Sequence, residues 1–517
     1  MASPVASNLV AELPGATVLI AGAGAAGRSA ASYLVGVGAR VRLVDDRYST
    51  SATELLAGVT VPGESISATL AGDLSEVDLL VVSPGFAPTH PLPVAAAAAG
   101  VPVWGEVELA WQLDRAGALG EPRTWLVVTG TNGKTTTTGM IEAIMLAAGR
   151  DAVACGNYGL TVLDAMVGPE RADVLCAELS SFQLHWAPSV HADAAVVLNV
   201  AEDHLDWHGS FAAYAAAKAL ALQAAVAVVG DDDAIAATLP IGSTSRRIGF
   251  TGAEPQPGQF GVRNGMLIDR VFGDAAGVEL VAADVIRPTG PSGIADALAA
   301  AALARAVGVS PEQVAAGLRA FSPAAHRGEV VATAECNGMS VRFVDDSKAT
   351  NPHAATAALA GYDRVVLIAG GLLKGASVDE LVITNASRLA GVVAIGRDRQ
   401  IIVDAIARHA PEVPTVTVFT GDDGQVSVVE GSARPAHAVS PSDTRVSQTV
   451  DLPPSHAVMN VAVEQAWQLA RESTRPVSAV LLAPAAASLD MFAGYGIRGD
   501  AFTAAARSVV DSAQASR

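Results

Sequence analysis

Short runs of apolar, often β-branched residues recur along the chain, and turns or alanine-rich stretches separate them. Runs of this length predict buried strands, whereas the longer alanine-rich stretches predict helices. Strands that alternate with helices indicate βαβ units on mostly parallel sheets, so the predicted fold class is α/β. The predicted strands cover residues 17–20, 40–44, 79–82, 174–177, 194–198, 341–344, 365–369, 392–395 and 479–482.

The alternation falls into three parts, which predict three domains. Residues 1–120 form a Rossmann-like domain, residues 121–323 form a central P-loop-type domain with a mostly parallel sheet, and residues 324–517 form a second Rossmann-like α/β domain. Residues 115–123 are predicted to link the first two domains. The stretch at about 420–456 is rich in Pro, Ser and Asp, which predicts a mobile surface insertion.

Length and charge narrow the class of protein. A chain of 517 residues is too long for one ordinary core, and a net charge of −19 argues against nucleic acid or an anionic membrane as partner. The three cysteines have no paired spacing, so we expect neither a disulfide framework nor a zinc site. The N-terminus lacks a signal-peptide pattern. We therefore expect a soluble, cytoplasmic protein without membrane insertion.

Residues 127–138 read VVTGTNGKTTTT, the order of a strand, a glycine loop and a helix. Glycine N–H groups can surround a polyphosphate, a lysine adds a point charge, and a threonine hydroxyl can bind Mg²⁺. Only two residues separate the first glycine from the Gly-Lys pair, which is a shortened P-loop. The alternative is a plain turn between strand and helix. The ATP-binding candidates are Gly130, Thr131, Asn132, Gly133, Lys134, Thr135 and Thr136.

Polar residues follow two further strands of the predicted central sheet. Glu178 ends the strand at 174–177, and Asp203 and His204 follow the strand at 194–198. Because parallel strands end at one edge of a sheet, these side chains are expected near Lys134. A carboxylate and a neutral imidazole there could bind Mg²⁺ or position water. A structural histidine is the alternative for His204, but its polar surroundings favour a site residue.

The first domain contains a second glycine loop, GAGAAG at residues 22–27, and Asp45 ends its second strand. This pattern predicts a nucleotide or diphosphate ligand, and by itself it leaves a nicotinamide-dependent dehydrogenase open. A Ser-Pro-Gly turn follows the strand at 79–82, where ligands of open α/β sheets bind, although a plain turn would look the same.

In the third domain, polar loops again follow predicted strands. Lys348 lies after the strand at 341–344, Lys374 after that at 365–369, and Ser488 after that at 479–482. Solvated surface lysines are the alternative for the first two, but their positions after buried strands argue against it.

Nine motifs occur together in one order along nearly the whole chain. They resemble those of the ATP-dependent Mur ligases of peptidoglycan synthesis, and ELSSFQL is most similar to the members that add D-glutamate. The motifs are GTNGKTT at 130–136, GNYG at 156–159, ELSSFQL at 178–184, DHLDWHGS at 203–210, YAAAK at 214–218, HR at 326–327, DDSKATNP at 345–352, GGLLKG at 370–375 and PAAASLDMF at 484–492.

The resemblance implies an amide-forming ligase that couples D-glutamate to UDP-N-acetylmuramoyl-L-alanine, using ATP and an acyl-phosphate intermediate, and acting as a monomer. It implies roles for three sets of residues. The UDP-substrate would contact Gly24, Ala25, Ala26, Asp45, Ser83, Pro84, Gly85, Asn157 and His204. Arg327 and Asp346 would join the phosphate loop in binding ATP, and Lys348, Thr350, Lys374, Ser488 and Tyr495 would bind D-glutamate.

The resemblance also implies two Mg²⁺ ions and the catalytic residues Lys134, Glu178, His204 and Lys218. Thr135, Thr136 and Glu178 would bind one ion, and His204 with a carbamylated Lys218 the other. Lys218 lies four residues after Tyr214 on one helix face, and taken by itself it would be interpreted as an ordinary solvated lysine. The match to YAAAK overturns that interpretation.

Residues 292–296 depart from the family pattern where a helix meets adenine, so adenine contacts do not transfer. Two other classes stay open, the dehydrogenase and a non-catalytic sensor of ATP or a UDP-sugar.

Overall fold

The computed structural model describes residues 9–46, 53–56, 59–61, 63–273, 276–336, 338–421, 425–431, 444–446 and 453–515. The chain divides into two compact units. The first comprises Met1–Ile286 and Ile294–Phe321, and the second comprises Arg287–Gly293 and Ser322–Arg517. The domain boundaries predicted from the sequence remain predictions. The described residues form three main α/β sheets, two in the first unit and one in the second.

Within the described ranges, the first sheet has five strands that all run parallel. Its central strand, Thr17–Ala21, reads TVLIA and is almost wholly buried, because helices cover both faces of a parallel sheet. The strand order is Gly63–Glu64, Arg40–Val44, Thr17–Ala21, Leu79–Val82 and Val103–Gly105. The helices are Ala25–Gly36, Ile66–Ala71, Pro91–Ala98 and Glu106–Arg115, and Thr53–Leu56 pairs separately with Val59–Val61.

The second sheet has nine strands in the described chain, and all but two of its pairings are parallel. The strand order is Val278–Ala282, Met266–Asp269, Gln259–Arg263, Arg246–Phe250, Val226–Gly230, Ala194–Val197, Thr124–Thr129, Val174–Glu178 and Ala152–Gly156. The strands after residue 225 were not predicted, because several are short and half-exposed. The helices are Lys134–Ala147, Val162–Val167, Ser181–His185, Leu205–His208, Phe211–Ala219, Pro291–Ala306 and Pro311–Ala320.

The third sheet has eight described strands, parallel in the middle and antiparallel at both edges. The strand order is Glu329–Cys336, Met339–Asp345, Ala479–Leu482, Val365–Gly370, Leu389–Ile395, Thr415–Thr420, Val426–Gly431 and Thr444–Val446. The helices are Pro352–Leu359, Asp379–Asn385, Arg399–His409, Pro454–Glu472 and Tyr495–Ala515. The strand Glu329–Cys336 was not predicted, because most of its residues are exposed or half-buried and it therefore lacks a continuous apolar run.

The insertion predicted at about 420–456 contains two of those edge strands, Val426–Gly431 and Thr444–Val446. Residues 422–424, 432–443 and 447–452 of this stretch lie outside the described residues. The predicted linker at 115–123 is irregular from residue 116, but Arg123 is buried and forms an ion pair with Asp114 of 2.9 Å. None of the helices within the described ranges is both long and apolar enough to cross a membrane.

Candidate active site

The phosphate loop begins at the carboxyl end of Thr124–Thr129. Gly130 and Gly133 adopt φ angles of 155° and 87°, which favour glycine. A Cβ atom on Gly133 would also lie 2.3 Å from a carboxylate oxygen of Asp296. The Lys134 ammonium donates hydrogen bonds to the carbonyls of Gly130 at 2.9 Å and Thr131 at 2.8 Å. The loop therefore has the tight backbone and the lysine that phosphate binding requires.

Neighbouring elements hold this loop in place. The Asn199 carboxamide accepts a hydrogen bond from Asn132 N at 2.9 Å and donates one to Asn132 O at 3.1 Å. Thr131 Oγ1 and the Tyr214 hydroxyl are 2.9 Å apart. Neither Asn199 nor Tyr214 was among the predicted site residues. Their signals in the sequence are a polar residue directly after a buried strand and the tyrosine of YAAAK.

Glu178 ends a strand that runs parallel to Thr124–Thr129, in the register that pairs Glu178 with Val128. Its carboxylate accepts hydrogen bonds from Thr135 Oγ1 at 2.6 Å and from Asn157 Nδ2 at 2.9 Å. Thr136 is buried. A hydroxyl and a carboxylate at the end of a phosphate loop are oxygen ligands that suit Mg²⁺, and Thr135 is the hydroxyl that faces Glu178. Among the described residues, no group of three or more His, Cys, Asp and Glu side chains forms a metal cluster.

Lys218 is only 2 % exposed, so the interpretation of an ordinary solvated lysine is wrong. Its helix, Phe211–Ala219, is rich in alanine and packs closely enough for the ammonium to donate to Gly130 O at 2.8 Å. Burial, and then the nearby Lys134 ammonium, lower the pKa of Lys218 well below its usual value, while Asp203 and Glu178 act in the opposite direction. Two lysines thus meet at one carbonyl of the phosphate loop.

His204 lies at the rim of an aromatic cluster. Its side chain is 47 % exposed, its Nε2 is 3.5 Å from Asp203 Oδ2, and its ring meets Phe182 edge-on at 4.8 Å. Trp207 and His208 pack on the same phenylalanine. Burial and the charges of Lys218 and neighbouring histidines lower the pKa of His208 to about 4, so His208 is neutral at pH 7. The imidazole of His204 therefore lies partly exposed at the edge of this cluster.

The glycine loop of the first sheet is organised around a carboxylate instead of a lysine. Asp45 is buried, and its Oδ2 accepts a hydrogen bond from Ala23 N at 3.0 Å. A Cβ atom on Gly27 would lie 1.9 Å from the Gly22 carbonyl oxygen, so helix Ala25–Gly36 approaches the loop as closely as glycine allows. Gly24 and Ala25 are exposed at the start of that helix, and Ala26 is half-exposed.

The Ser-Pro-Gly turn at residues 83–85 contacts this glycine loop, because Ser83 Oγ donates to Gly22 O at 3.2 Å. The indole N–H of Trp207 donates to Gly85 O at 3.3 Å, and that of Trp186 donates to Phe86 O at 3.0 Å. The contact with Trp207 therefore connects the turn to helix Leu205–His208, which directly follows His204. No specific signal in the sequence predicts either tryptophan contact.

In the second unit, polar groups converge around the carboxyl end of Met339–Asp345. Asp345 is fully buried, and its carboxylate lies 2.7 Å from His326 Nδ1. Burial raises the pKa of the neighbouring Asp346 to about 7, and the charge of Arg327 opposes that shift. Arg327 and Asp346 therefore lie within electrostatic reach of each other, and their part in ATP binding stays a prediction.

Lys348 and Tyr495, distant in sequence, are in contact. The Lys348 ammonium donates to the Tyr495 hydroxyl at 3.1 Å and lies 4.4 Å from the ring centre. Thr350 N donates to Lys348 O at 2.8 Å, and Ser488 is buried. Lys374 is exposed with φ of 53°, and its part in amino-acid binding stays a prediction.

Two family models match the chain. The Mur ligase middle domain covers residues 128–251, and the Mur ligase MurD-like N-terminal domain covers residues 16–105. The UDP-N-acetylmuramoylalanine--D-glutamate ligase of Mycolicibacterium smegmatis is 53% identical over 509 residues, which are 98% of this chain and 99% of that protein. The protein of the same name from Mycolicibacterium vanbaalenii is 54% identical over 96% of this chain and 99% of its own length. The chain belongs to the Mur ligase family.

Solved structures agree with the fold. A pseudomurein peptide ligase type C from Methanothermus fervidus superposes with a TM-score of 0.53 at 15% identity, covering 95% of this chain and 99% of that one. A UDP-N-acetylmuramate-alanine ligase from Thermotoga maritima gives a TM-score of 0.50 at 16% identity, covering 97% and 100%. The predicted α/β fold class, with its mostly parallel sheets, is confirmed.

Proposed function

We propose that this protein joins D-glutamate to UDP-N-acetylmuramoyl-L-alanine at the expense of ATP, in peptidoglycan synthesis. The observation that carries this proposal is the phosphate loop, on whose Gly130 carbonyl both Lys134 and Lys218 converge, next to the contact between Thr135 and Glu178. The full-length relatives that carry the ligase name support the choice of substrates. A cytoplasmic location and a monomeric state stay predictions.

The reaction has two steps. A carboxylate oxygen of the UDP-substrate attacks the γ-phosphorus of ATP, which releases ADP and leaves an acyl phosphate. The amine of D-glutamate then attacks the acyl carbon, an amide forms, and inorganic phosphate leaves as the amine loses a proton. Phosphoryl transfer needs alignment and charge neutralisation more than covalent help, and Lys134 and Arg327 are the cations that we assign to it.

Thr135 and Glu178 would bind one Mg²⁺, with Thr136 as the other candidate hydroxyl. The 2.6 Å contact between Thr135 and Glu178 fits a pair of oxygen ligands on a hard cation. A bound Mg²⁺ would neutralise phosphate charge. His204 and Lys218 would serve a second ion.

For that role Lys218 must be carbamylated, because an ammonium would repel the ion whereas a carbamate supplies oxygen ligands. Only a neutral amine reacts with CO₂, and burial beside Lys134 lowers the pKa of Lys218 in the direction that this reaction needs.

The UDP-substrate is assigned to the first sheet. The exposed backbone at the start of Ala25–Gly36 suits a diphosphate, because helix N-termini attract anions. Asp45 lies where a ribose hydroxyl could donate to it. The residues assigned around the first sheet are Gly24, Ala25, Ala26, Asp45, Ser83, Pro84 and Gly85. Asn157 and His204, which follow strands of the second sheet, are assigned nearer the muramoyl end of the substrate.

D-Glutamate is assigned to the loops of the second unit. Its two carboxylates call for cations and hydroxyls, which form strong charge-assisted hydrogen bonds with carboxylates. Lys348 and the Tyr495 hydroxyl already lie together, at 3.1 Å. The complete set is Lys348, Thr350, Lys374, Ser488 and Tyr495.

A coupled assay of phosphate release tests the proposal. We expect ATP to be hydrolysed at a substantial rate only when UDP-N-acetylmuramoyl-L-alanine and D-glutamate are both present, with one amide formed per phosphate. Reactions that lack either substrate, or contain L-glutamate instead, are the controls. Binding of ATP or the UDP-substrate without turnover would support a sensor instead, and phosphate release that does not depend on both substrates would contradict the ligase. Binding of NAD in a titration would revive the dehydrogenase.

A further inference from the structure

Arg498 lies in the first turn of Tyr495–Ala515 and is only 1 % exposed. Within the described chain its guanidinium donates three hydrogen bonds, each to a neutral oxygen. Nε donates to Ser347 Oγ at 3.0 Å, Nη2 to Ser347 O at 2.8 Å, and Nη1 to Ala486 O at 3.1 Å. A cation is thus buried with hydroxyl and carbonyl oxygens as its direct partners.

Arg123 shows how the protein buries an arginine elsewhere. It is 4 % exposed, and its Nη1 forms a direct ion pair with Asp114 Oδ1 at 2.9 Å. Burial lowers the pKa of Arg498 to about 10, which still leaves it charged at pH 7, while the carboxylates of Asp490 and Asp345 oppose the shift from a distance. Burying a charge without a direct counter-ion is costly, so the arrangement at Arg498 calls for a function.

The three hydrogen bonds join the segments that carry the proposed amino-acid site. Ser347 directly precedes Lys348, and its hydroxyl donates to Tyr495 O at 2.7 Å. Ala486 lies two residues before Ser488. Arg498 therefore connects the loop of Lys348, the loop of Ser488 and the start of the helix that presents Tyr495.

We propose that Arg498 is a positioning residue for the D-glutamate site and acts through Ser347. It holds the Lys348 ammonium, the Tyr495 hydroxyl and the Ser488 loop in the arrangement that receives a dicarboxylate, and its buried positive charge favours an anionic ligand nearby. This inference rests on the proposed function, because that proposal assigns D-glutamate to these loops.

The decisive variant is Ser347→Ala, which removes one hydroxyl from the link and leaves the arginine in place. We expect the KM for D-glutamate to rise about fivefold to tenfold, as for loss of one ordinary hydrogen bond, with the KM values for ATP and the UDP-substrate unchanged. Arg498→Lys keeps the charge but loses the planar fork, and should raise the same KM at least as much.

Arg123→Lys is the matched control, because it alters a buried arginine that contacts none of the loops assigned to D-glutamate. It should lower the melting temperature and leave the KM for D-glutamate unchanged. If Arg498→Lys does not fold, Ser347→Ala decides alone.

An unchanged KM for D-glutamate in Ser347→Ala would overturn the inference, as would equal changes in all three KM values, which indicate a purely structural role. The effect of Lys348→Ala separates this failure from failure of the proposed function. If Lys348→Ala raises the KM for D-glutamate while Ser347→Ala does not, only the role of Arg498 is refuted. If neither variant raises it, the assignment of D-glutamate to these loops falls as well.

Discussion

Lys218 in the first unit and Lys348 in the second each lie over a tyrosine ring. The ammonium of Lys218 is 4.6 Å from the ring centre of Tyr214, and that of Lys348 is 4.4 Å from the ring centre of Tyr495. The pairs nevertheless differ in partner and in burial. Lys348 is half-buried and donates to the hydroxyl of its own tyrosine, whereas Lys218 is fully buried and donates to Gly130 O.

The difference shows that a lysine's chemistry follows from its surroundings rather than from its nearest ring. Lys218 is buried beside the Lys134 ammonium, which favours its neutral form and therefore reaction with CO₂. Lys348 keeps partial access to solvent and a neutral hydroxyl partner, which suits an ammonium that binds a carboxylate. The same pair of residue types thus serves a proposed carbamate in one unit and a proposed substrate contact in the other.

The largest effect is expected from Lys218→Ala. The kcat for ligation should fall at least about a hundredfold, the size seen when a group that supports a metal or a developing charge is removed. Short carboxylic acids should restore part of the activity by occupying the position of the carbamate. Lys348→Ala is the control, since it should show no such rescue. Parental activity in Lys218→Ala would contradict the carbamate proposal.

Lys348→Ala should act on substrate binding instead. Loss of a charge-assisted contact of about 1.5–3 kcal/mol predicts a KM for D-glutamate that is about tenfold to a hundredfold higher, with little change in the KM for ATP. Steady-state kinetics with each substrate varied in turn provide the measurement. Lys374→Ala, at an exposed position, tests whether the second predicted lysine contributes in the same way. Equal effects on D-glutamate and ATP would remove Lys348 from the amino-acid site.

Removing each tyrosine hydroxyl in turn should distinguish the two lysine–tyrosine pairs by the substrate whose KM changes. Tyr495→Phe loses the 3.1 Å contact with Lys348 and should raise the KM for D-glutamate by several-fold, as for a hydrogen bond of about 1 kcal/mol. Tyr214→Phe loses the 2.9 Å contact with Thr131 and should raise the KM for ATP instead. Both variants keep the ring under the lysine. A common pattern in the two variants would mean that the hydroxyls do not distinguish the sites.

The smallest expected effect is on the way the free energy of unfolding depends on pH. The pKa of Lys218 in the folded protein lies well below the 10.5 of a free lysine. At any pH between the folded and the unfolded pKa of this residue, the unfolded chain therefore binds a proton that the folded protein does not. The free energy of unfolding contributed by this group should therefore rise with pH across that window.

Lys218→Met should remove this rise and increase the melting temperature in CO₂-free buffer, by about 2–4 °C for each kcal/mol recovered. Lys348→Met serves as the control for loss of a lysine that is not fully buried. If the melting temperature of Lys218→Met has the same pH dependence as that of the parent protein, burial does not lower the pKa of Lys218.

The fold was largely predictable because its signals are local. The apolar runs at 79–82 and 479–482 form strands with those same bounds, Leu79–Val82 and Ala479–Leu482, since a strand buried on both faces needs a continuous apolar run. The glycine loop at 130–133 was also predictable, because few other backbone conformations require this combination of residue types. Edge strands such as Glu329–Cys336 were missed, because exposed, mixed residues carry no comparable pattern.

The sequence alone determined that Tyr214 and Lys218 share a helix face, because four-residue spacing along a helix fixes that geometry locally. Only the tertiary structure decided that this face is buried against the phosphate loop. The pair of Lys348 and Tyr495 is separated by 147 residues, and the hydrogen bonds from Arg498 to Ser347 span 151 residues. Burial and electrostatic potential are sums over neighbours that the chain brings together only on folding, so no local pattern could have revealed them.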